Sequence, residues 1–312
     1  MKFFRSTSAD AHDPHLTALT VRQADHLRDL VGQWHAARGE QATVAGDTLR
    51  VPGGTTALYN LAEFVRRADP REWPRIVDRH FTALASARAA AEQPAAPDDV
   101  LRRAYLRLIP DDALPPQAAA QFGYVRPVAT GLAEALALDL PDSVRLLDDK
   151  DVAAIGLEAL RAAGRANLVN EPVTYEATAT PSGGQVHVLS GDSLFVASKA
   201  LVLDEVARSL TGRELPADGA LFTVPSRGHL AFHPLADHHV QGAVNDLAAF
   251  GLGAYQDNPG PLSPRLYWWH RGTVTCLTRI DDATRSFSIE PPEELLAVMR
   301  RLHASGPQAP GA

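Results

Sequence analysis

One cysteine, Cys276, stands in a chain of 312 residues, so no disulfide can close within it. It lies in Thr-Val-Thr-Cys-Leu-Thr, a β-rich stretch in which a thiol serves as a small apolar side chain. Such thiol usage fits a reducing compartment. Lysine is almost as scarce, with only Lys2, Lys150 and Lys199, whereas arginine and alanine are abundant. That bias fits a GC-rich bacterial genome and carries no chemistry. A formal net charge of −7 works against binding a phosphate backbone, which needs clustered cations. The arginines that do cluster (Arg66, Arg67, Arg71, Arg75 and Arg79, then Arg102, Arg103 and Arg107) alternate with apolar residues at helix-like spacing and read as solvated helix faces. No stretch approaches 18 uninterrupted apolar residues, and the opening Met-Lys-Phe-Phe-Arg-Ser-Thr-Ser lacks the apolar core of a secretory signal. The expectation is a cytoplasmic protein with neither a membrane nor a nucleic-acid partner.

Also missing are the Gly-x-Ser-x-Gly elbow, the Walker loop, His-Glu-x-x-His and paired Cys-x-x-Cys. Gly53-Gly54-Thr55-Thr56 could expose backbone N–H groups to an anion, but without a lysine or wider glycine spacing it reads as a turn and helix cap.

What is present is the composition of a packed protein, 45% hydrophobic and 21% charged. Thr20 and Gln23 form a capping box for a helix over 20–38, ended by Gly39. A strand over 42–51 and helices after Thr55-Thr56 and after Pro74 complete a mainly helical N-terminal subdomain, 20–92, preceded by a flexible segment, 1–19. The Ala-, Pro- and acid-rich residues 93–99 read as a linker. From 100 to 303 the texture is α+β: strands near 106–109, 124–128, 132–140 and 143–147, then a helical stretch from the Asp148–Asp151 cap to Leu168. Pro181-Ser182-Gly183-Gly184 and Arg271-Gly272 mark hairpins. Amphipathic helices are expected over 196–210, 238–251 and after Pro292, with a disordered tail over 304–312. Two hairpin signals favour a mixed, largely antiparallel sheet covered by helices over a doubly wound one.

Several strings together resemble the YtpQ-like bacterial proteins of unknown function: Leu-Pro-Asp-Ser-Val-Arg-Leu-Leu at 140–147 with the helix ending in Ala166-Asn167-Leu168, the Ala197–Leu210 helix leading into Val224-Pro225-Ser226-Arg227, and Leu58-Tyr59-Asn60-Leu61 followed by the helix after Pro74. The similarity runs over roughly residues 40–300. It implies an α+β fold but brings no reaction and no catalytic residues. The chain departs from the family in its residues before Thr20, in a histidine cluster at 229–239 and in Tyr267-Trp268-Trp269.

The densest chemistry lies in His229, His233, Asp237, His238 and His239. Four residues of regular strand hold His229 and His233 roughly 13 Å apart. The bend at Pro234 would let His233, Asp237 and His238 or His239 converge on a zinc or iron ion, or act as acid and base. The plainer alternative makes Asp237 a helix N-cap and its histidine neighbours solvated. Asp148, Asp149 and Asp151 read as capping residues, not paired catalytic carboxylates. The Pro-punctuated loop 257–265 enters a strand carrying Arg265, Tyr267, Trp268 and Trp269, residue types frequent in binding hot spots. Two functions stand. One is a non-catalytic binding or accessory protein, without a cofactor, that holds a protein partner or small ligand at Arg265–Trp269. The other is a small-molecule enzyme built on His233, Asp237 and His238.

Overall fold

The computed structural model describes residues 11–52, 54–92, 96–114, 116–140, 143–281 and 286–305. The chain forms an α+β protein in two compact units, residues 1–94 with 141–143, and residues 95–140 with 144–312.

In the first unit, α1 (Val21–Ala36) opens on the anticipated Thr20–Gln23 capping box. The expected single strand is a meander of β1 (Thr43–Ala45), β2 (Thr48–Val51) and β3 (Gly54–Ala57). It turns at Gly46, whose φ of 62° suits glycine. Thr55 and Thr56 therefore lie in β3 and do not cap a helix, since α2 (Tyr59–Arg66) starts after Leu58. A short 3-10 turn (Pro70–Glu72) leads into α3 (Trp73–Glu92). The apolar faces of α1, α2 and α3 enclose Leu27, Val31, Leu61, Val65, Trp73 and Phe81. A flexible segment over 1–19 fails from residue 11 onward: Leu16 and Leu19 are fully buried in this core, and residues 1–10 lie outside those described.

The second unit begins with α4 (Pro97–Arg103), so the linker expected at 93–99 gives way to helix at Pro97, while 93–95 lie outside the described residues. Strand β4 (Ala104–Ile109) follows directly, then α5 (Pro116–Ala119), β5 (Arg126–Ala129), β6 (Leu132–Leu140) and β7 (Ser143–Leu146). These strands form one sheet, β4-β6-β5, with β7 also on β6. Asp148 caps α6 (Asp149–Ile155) through a capping box with Asp151. The expected continuous helix is broken at Gly156, whose φ of 102° no helix tolerates, and α7 (Leu157–Asn170) starts anew.

Next come β8 (Thr174–Ala179), β9 (Gln185–Ser190), a 3-10 helix (Ala197–Val202), α8 (Leu203–Thr211), β10 (Ala220–Thr223) and β11 (His229–Pro234). Helix α9 (Val240–Asp257), β12 (Leu266–His270), β13 (Thr273–Cys276), β14 (Thr278–Asp281), β15 (Ser286–Ile289) and α10 (Glu293–Ala304) complete it. Six strands pair antiparallel in the order β13-β12-β10-β11-β9-β8. The Arg271-Gly272 turn has both φ values positive, 50° and 80°, the twist that suits a two-residue hairpin. One sheet face (Val186, Leu221, Ala231, Leu266 and Trp268) packs against α9 and α10 through Val240, Val244, Leu247, Leu295 and Val298. The tail expected at 304–312 includes Ala304, the last residue of α10, and Ser305, whose hydroxyl donates to Leu302 O at 2.8 Å; 306–312 lie outside the described residues. No helix of the described residues is long and apolar enough to cross a membrane.

Candidate functional site

The two groups singled out from sequence fare differently. Strand β12 carries Tyr267 and Trp268 inward, with 0% and 3% of their surface exposed. The Tyr267 hydroxyl donates to Thr130 O at 3.2 Å and sits 2.7 Å from Ser263 Oγ, while Trp268 Nε1 donates to Asp218 O at 2.8 Å. Both aromatics have their polar tips satisfied inside, as buried Tyr and Trp require. They cannot serve as the surface anchors expected of them. Arg265 and Trp269 are half-buried, and Arg265 Nη1 donates to Thr278 O at 2.9 Å. His270 stacks on Trp268 and faces Glu294.

The histidines of β11 and its exit do approach one another. His233 is 3% exposed and faces the α9 side of the sheet. Its Nδ1 lies 2.7 Å from Gln185 O, and a carbonyl can only accept, so Nδ1 carries the proton. The neutral ring then presents a bare Nε2, which is buried and has no hydrogen-bond partner. Burial holds its pKa below the ordinary imidazole value against the opposing pull of the Gln185 carbonyl and Asp237, with His239 pushing the same way as burial. Gly184 makes room for the group: a Cβ there would come 3.7 Å from His233 Cε1 and 3.2 Å from His239 Cβ.

The Pro181–Gly184 turn is itself docked on α9. Ser182 Oγ hydrogen-bonds Asp246 Oδ2 at 2.5 Å and Thr180 Oγ1 at 3.0 Å. Asp237, exposed, accepts from His239 N at 2.9 Å, so it braces the entry to α9 although His239 occupies the cap position. The His238 and His239 rings lie tilted against each other, with centroids 4.1 Å apart. Among the described residues no group of three or more His, Cys, Asp or Glu is arranged to hold a metal ion. The arrangement can accept a proton or a hydrogen bond at His233 Nε2.

A second cluster was missed from sequence. Arg107, grouped above with Arg102 and Arg103 as a solvated helix face, lies instead on β4 and is half-buried. Its Nη1 donates to Leu194 O at 3.2 Å, and its Cζ lies 5.5 Å from the Phe195 ring centroid. Phe195 stacks on Tyr105 at 4.2 Å. Burial, and after it the charge of Arg227 in the loop after β10, push the Arg107 pKa down to about 10. That loop is tied on two sides: Arg227 O accepts from Ala197 N at 3.0 Å and Arg227 N donates to Gly260 O at 2.9 Å. Leu262 N and Ser263 N donate to Pro225 O and Val224 O, so the Pro-rich loop pairs with the Val224–Arg227 string. The alternating Tyr-Leu-Arg-Leu pattern, with an arginine on a strand face, was the signal available for Arg107.

No family model, no curated protein and no solved structure matches the chain.

Proposed function

We propose that this chain is a cytoplasmic bacterial binding protein that holds a small ligand without transforming it, at the loops around Arg227. The observation that carries the reading is the cross-tying of three segments, 194–197, 224–227 and 260–263, by backbone hydrogen bonds around two half-buried arginines. Loops held in one shape lose little entropy when a ligand arrives, so such a surface is pre-organised to bind. The reading keeps the binding function expected from sequence and moves it from the aromatic strand to its neighbouring loop. It agrees with the resemblance to YtpQ-like proteins, which brings no reaction.

The test is thermal unfolding of the full chain against panels of anionic, neutral and cationic small molecules. At least one member should raise the midpoint in a concentration-dependent way, because a ligand bound only to the folded state stabilises it. A flat response across all panels would refute the reading.

A second reading, a small-molecule enzyme, is favoured by one atom, the bare and buried Nε2 of His233, which offers the lone pair that a general base needs. Nuclear magnetic resonance on the stabilising ligand, incubated with the protein for hours, separates the two. An unchanged ligand supports binding alone, whereas conversion abolished by His233→Gln supports the enzyme.

A further inference from the structure

A base that meets a substrate cannot stay sealed, and His233 is sealed. Its ring is 3% exposed, and its Nε2 is buried without a hydrogen-bond partner. A buried acceptor left unpaired costs stability, so the atom calls for a partner that the closed protein does not supply. We infer that the Pro181–Gly184 turn is a lid over His233, latched to α9 by Asp246, and that a substrate reaches Nε2 when the lid lifts. This inference rests on the enzyme reading above and describes how its base is reached.

Three observations support it. The turn lies against the ring: a Cβ on Gly184 would come 3.7 Å from His233 Cε1, the carbon bonded to Nε2, and one on Gly183 would come 3.2 Å from His239 Cε1. Two glycines in succession let the backbone close down on both imidazoles.

The ring, moreover, is anchored apart from the turn. His233 Nδ1 donates to Gln185 O at 2.7 Å, and Gln185 belongs to the last pair of the β8–β9 ladder, opposite Ala179. Residues 180–184 lie beyond that pair, so they can swing while the imidazole keeps its place and its tautomer.

Finally, among the described residues, the hydrogen bonds that tie the turn to α9 all end on one carboxylate. Ser182 Oγ and Ser182 N donate to Asp246 Oδ2 at 2.5 and 3.4 Å. One helical turn earlier Gly242 provides the seat, since a Cβ there would lie 2.3 Å from both Cβ and Oγ of Ser182. Against burial, hydrogen bonds from Ser182 and Thr180 hold the Asp246 carboxyl below its ordinary value, so the latch is charged at neutral pH. Bonds to a single carboxylate are strong enough to favour the closed turn and few enough to break in a local opening. Closure over a bound substrate would then exclude water from the base.

The experiment times the acylation of each histidine in the full chain by diethyl pyrocarbonate, which modifies the neutral imidazole nitrogens it can reach, with the peptides read by mass spectrometry. His303, exposed on α10, is the open standard. His187, 7% exposed on the opposite face of the same sheet, reports unfolding of the unit. In the parent, His233 should react at least about tenfold more slowly than His303. Asp246→Ala removes the latch and Gly242→Ala unseats Ser182. Each should speed His233 by about tenfold, the worth of a hydrogen bond to a charged group, and leave His187 and His303 unchanged. If one variant does not fold, the other decides.

The inference is overturned if His233 in the parent keeps pace with His303, if no folded variant speeds it, or if His187 speeds up in step with it. Its fate is separate from that of the enzyme reading. Unlatching that exposes His233 in a protein that converts no ligand would end the reading and leave the lid. Conversion lost in His233→Gln, with no effect of unlatching on His233 acylation, would end the lid and leave the reading.

Discussion

The carboxylate of Asp13 shows how much one residue can carry. It accepts from Arg28 Nη2 and Nη1 at 2.8 and 3.0 Å, and from the backbone N–H groups of Leu16 and His15 at 2.8 and 2.9 Å. The Arg28 hydrogen bonds above all lower its pKa from the ordinary 3.8 to about 2, against an opposing effect of burial. Such a depressed acid contributes stability that is complete above its unfolded pKa and is lost as pH falls through the folded one. Asp13→Asn should therefore destabilise by about 2 kcal/mol at pH 7, and the difference from the parent should vanish near pH 2. Urea unfolding at the two pH values checks it; an equal loss at both would contradict the ion-pair account. From sequence, Asp13 fell in a stretch read as flexible, because its partner sits a helix away and no local pattern announces the pairing.

At the scale of elements, the periodic signals were legible and their interruptions were not. The capping boxes at Thr20 and Asp148 start α1 and α6 as read. The apolar run of β6 gives a strand buried on both faces. Gly156 was hidden inside a good helical pattern, since a positive φ leaves no trace in spacing. Gly164 was hidden in the same way. A Cβ on Gly164 would lie 2.8 Å from Leu106 N and 2.9 Å from the Tyr105 carbonyl carbon, both rigid backbone atoms of β4. Gly164→Ala gains about 1 kcal/mol of helix propensity but forces α7 away from the strand, at about 1–3 kcal/mol. Net destabilisation is expected, read as a lower midpoint in urea. A more stable Gly164→Ala protein would mean that α7 does not lie this close to β4.

At the scale of the molecule, what escaped the sequence is what long-range strand pairing creates. Arg107 lies on β4 and Arg227 in the loop after β10, and the segment 194–197 links the two, accepting from Arg107 Nη1 at Leu194 O and donating to Arg227 O from Ala197 N. His233 was legible as a candidate, but its fixed proton depends on the β9 carbonyl of Gln185.

The same division sets how acid should unfold the protein, because the two units have separate cores and different titrating groups. In the second unit His187 and His233 have pKa values lowered chiefly by burial from the ordinary 6.5. The unfolded chain binds protons there before the folded one does, so their contribution is complete above 6.5 and is lost as pH falls below it. In the first unit Asp13 holds its contribution down to its unfolded value of 3.8. Calorimetric scans from pH 7.5 to pH 3 should therefore resolve two transitions. The one lowered by Gly164→Ala should begin to fall below about pH 6.5, and the one lowered by Asp13→Asn should hold until about pH 4. His233→Gln should flatten the first of these slopes and leave the second untouched. A single transition, shifted alike by all three substitutions, would show that the units unfold as one and that neither slope belongs to the groups assigned to it.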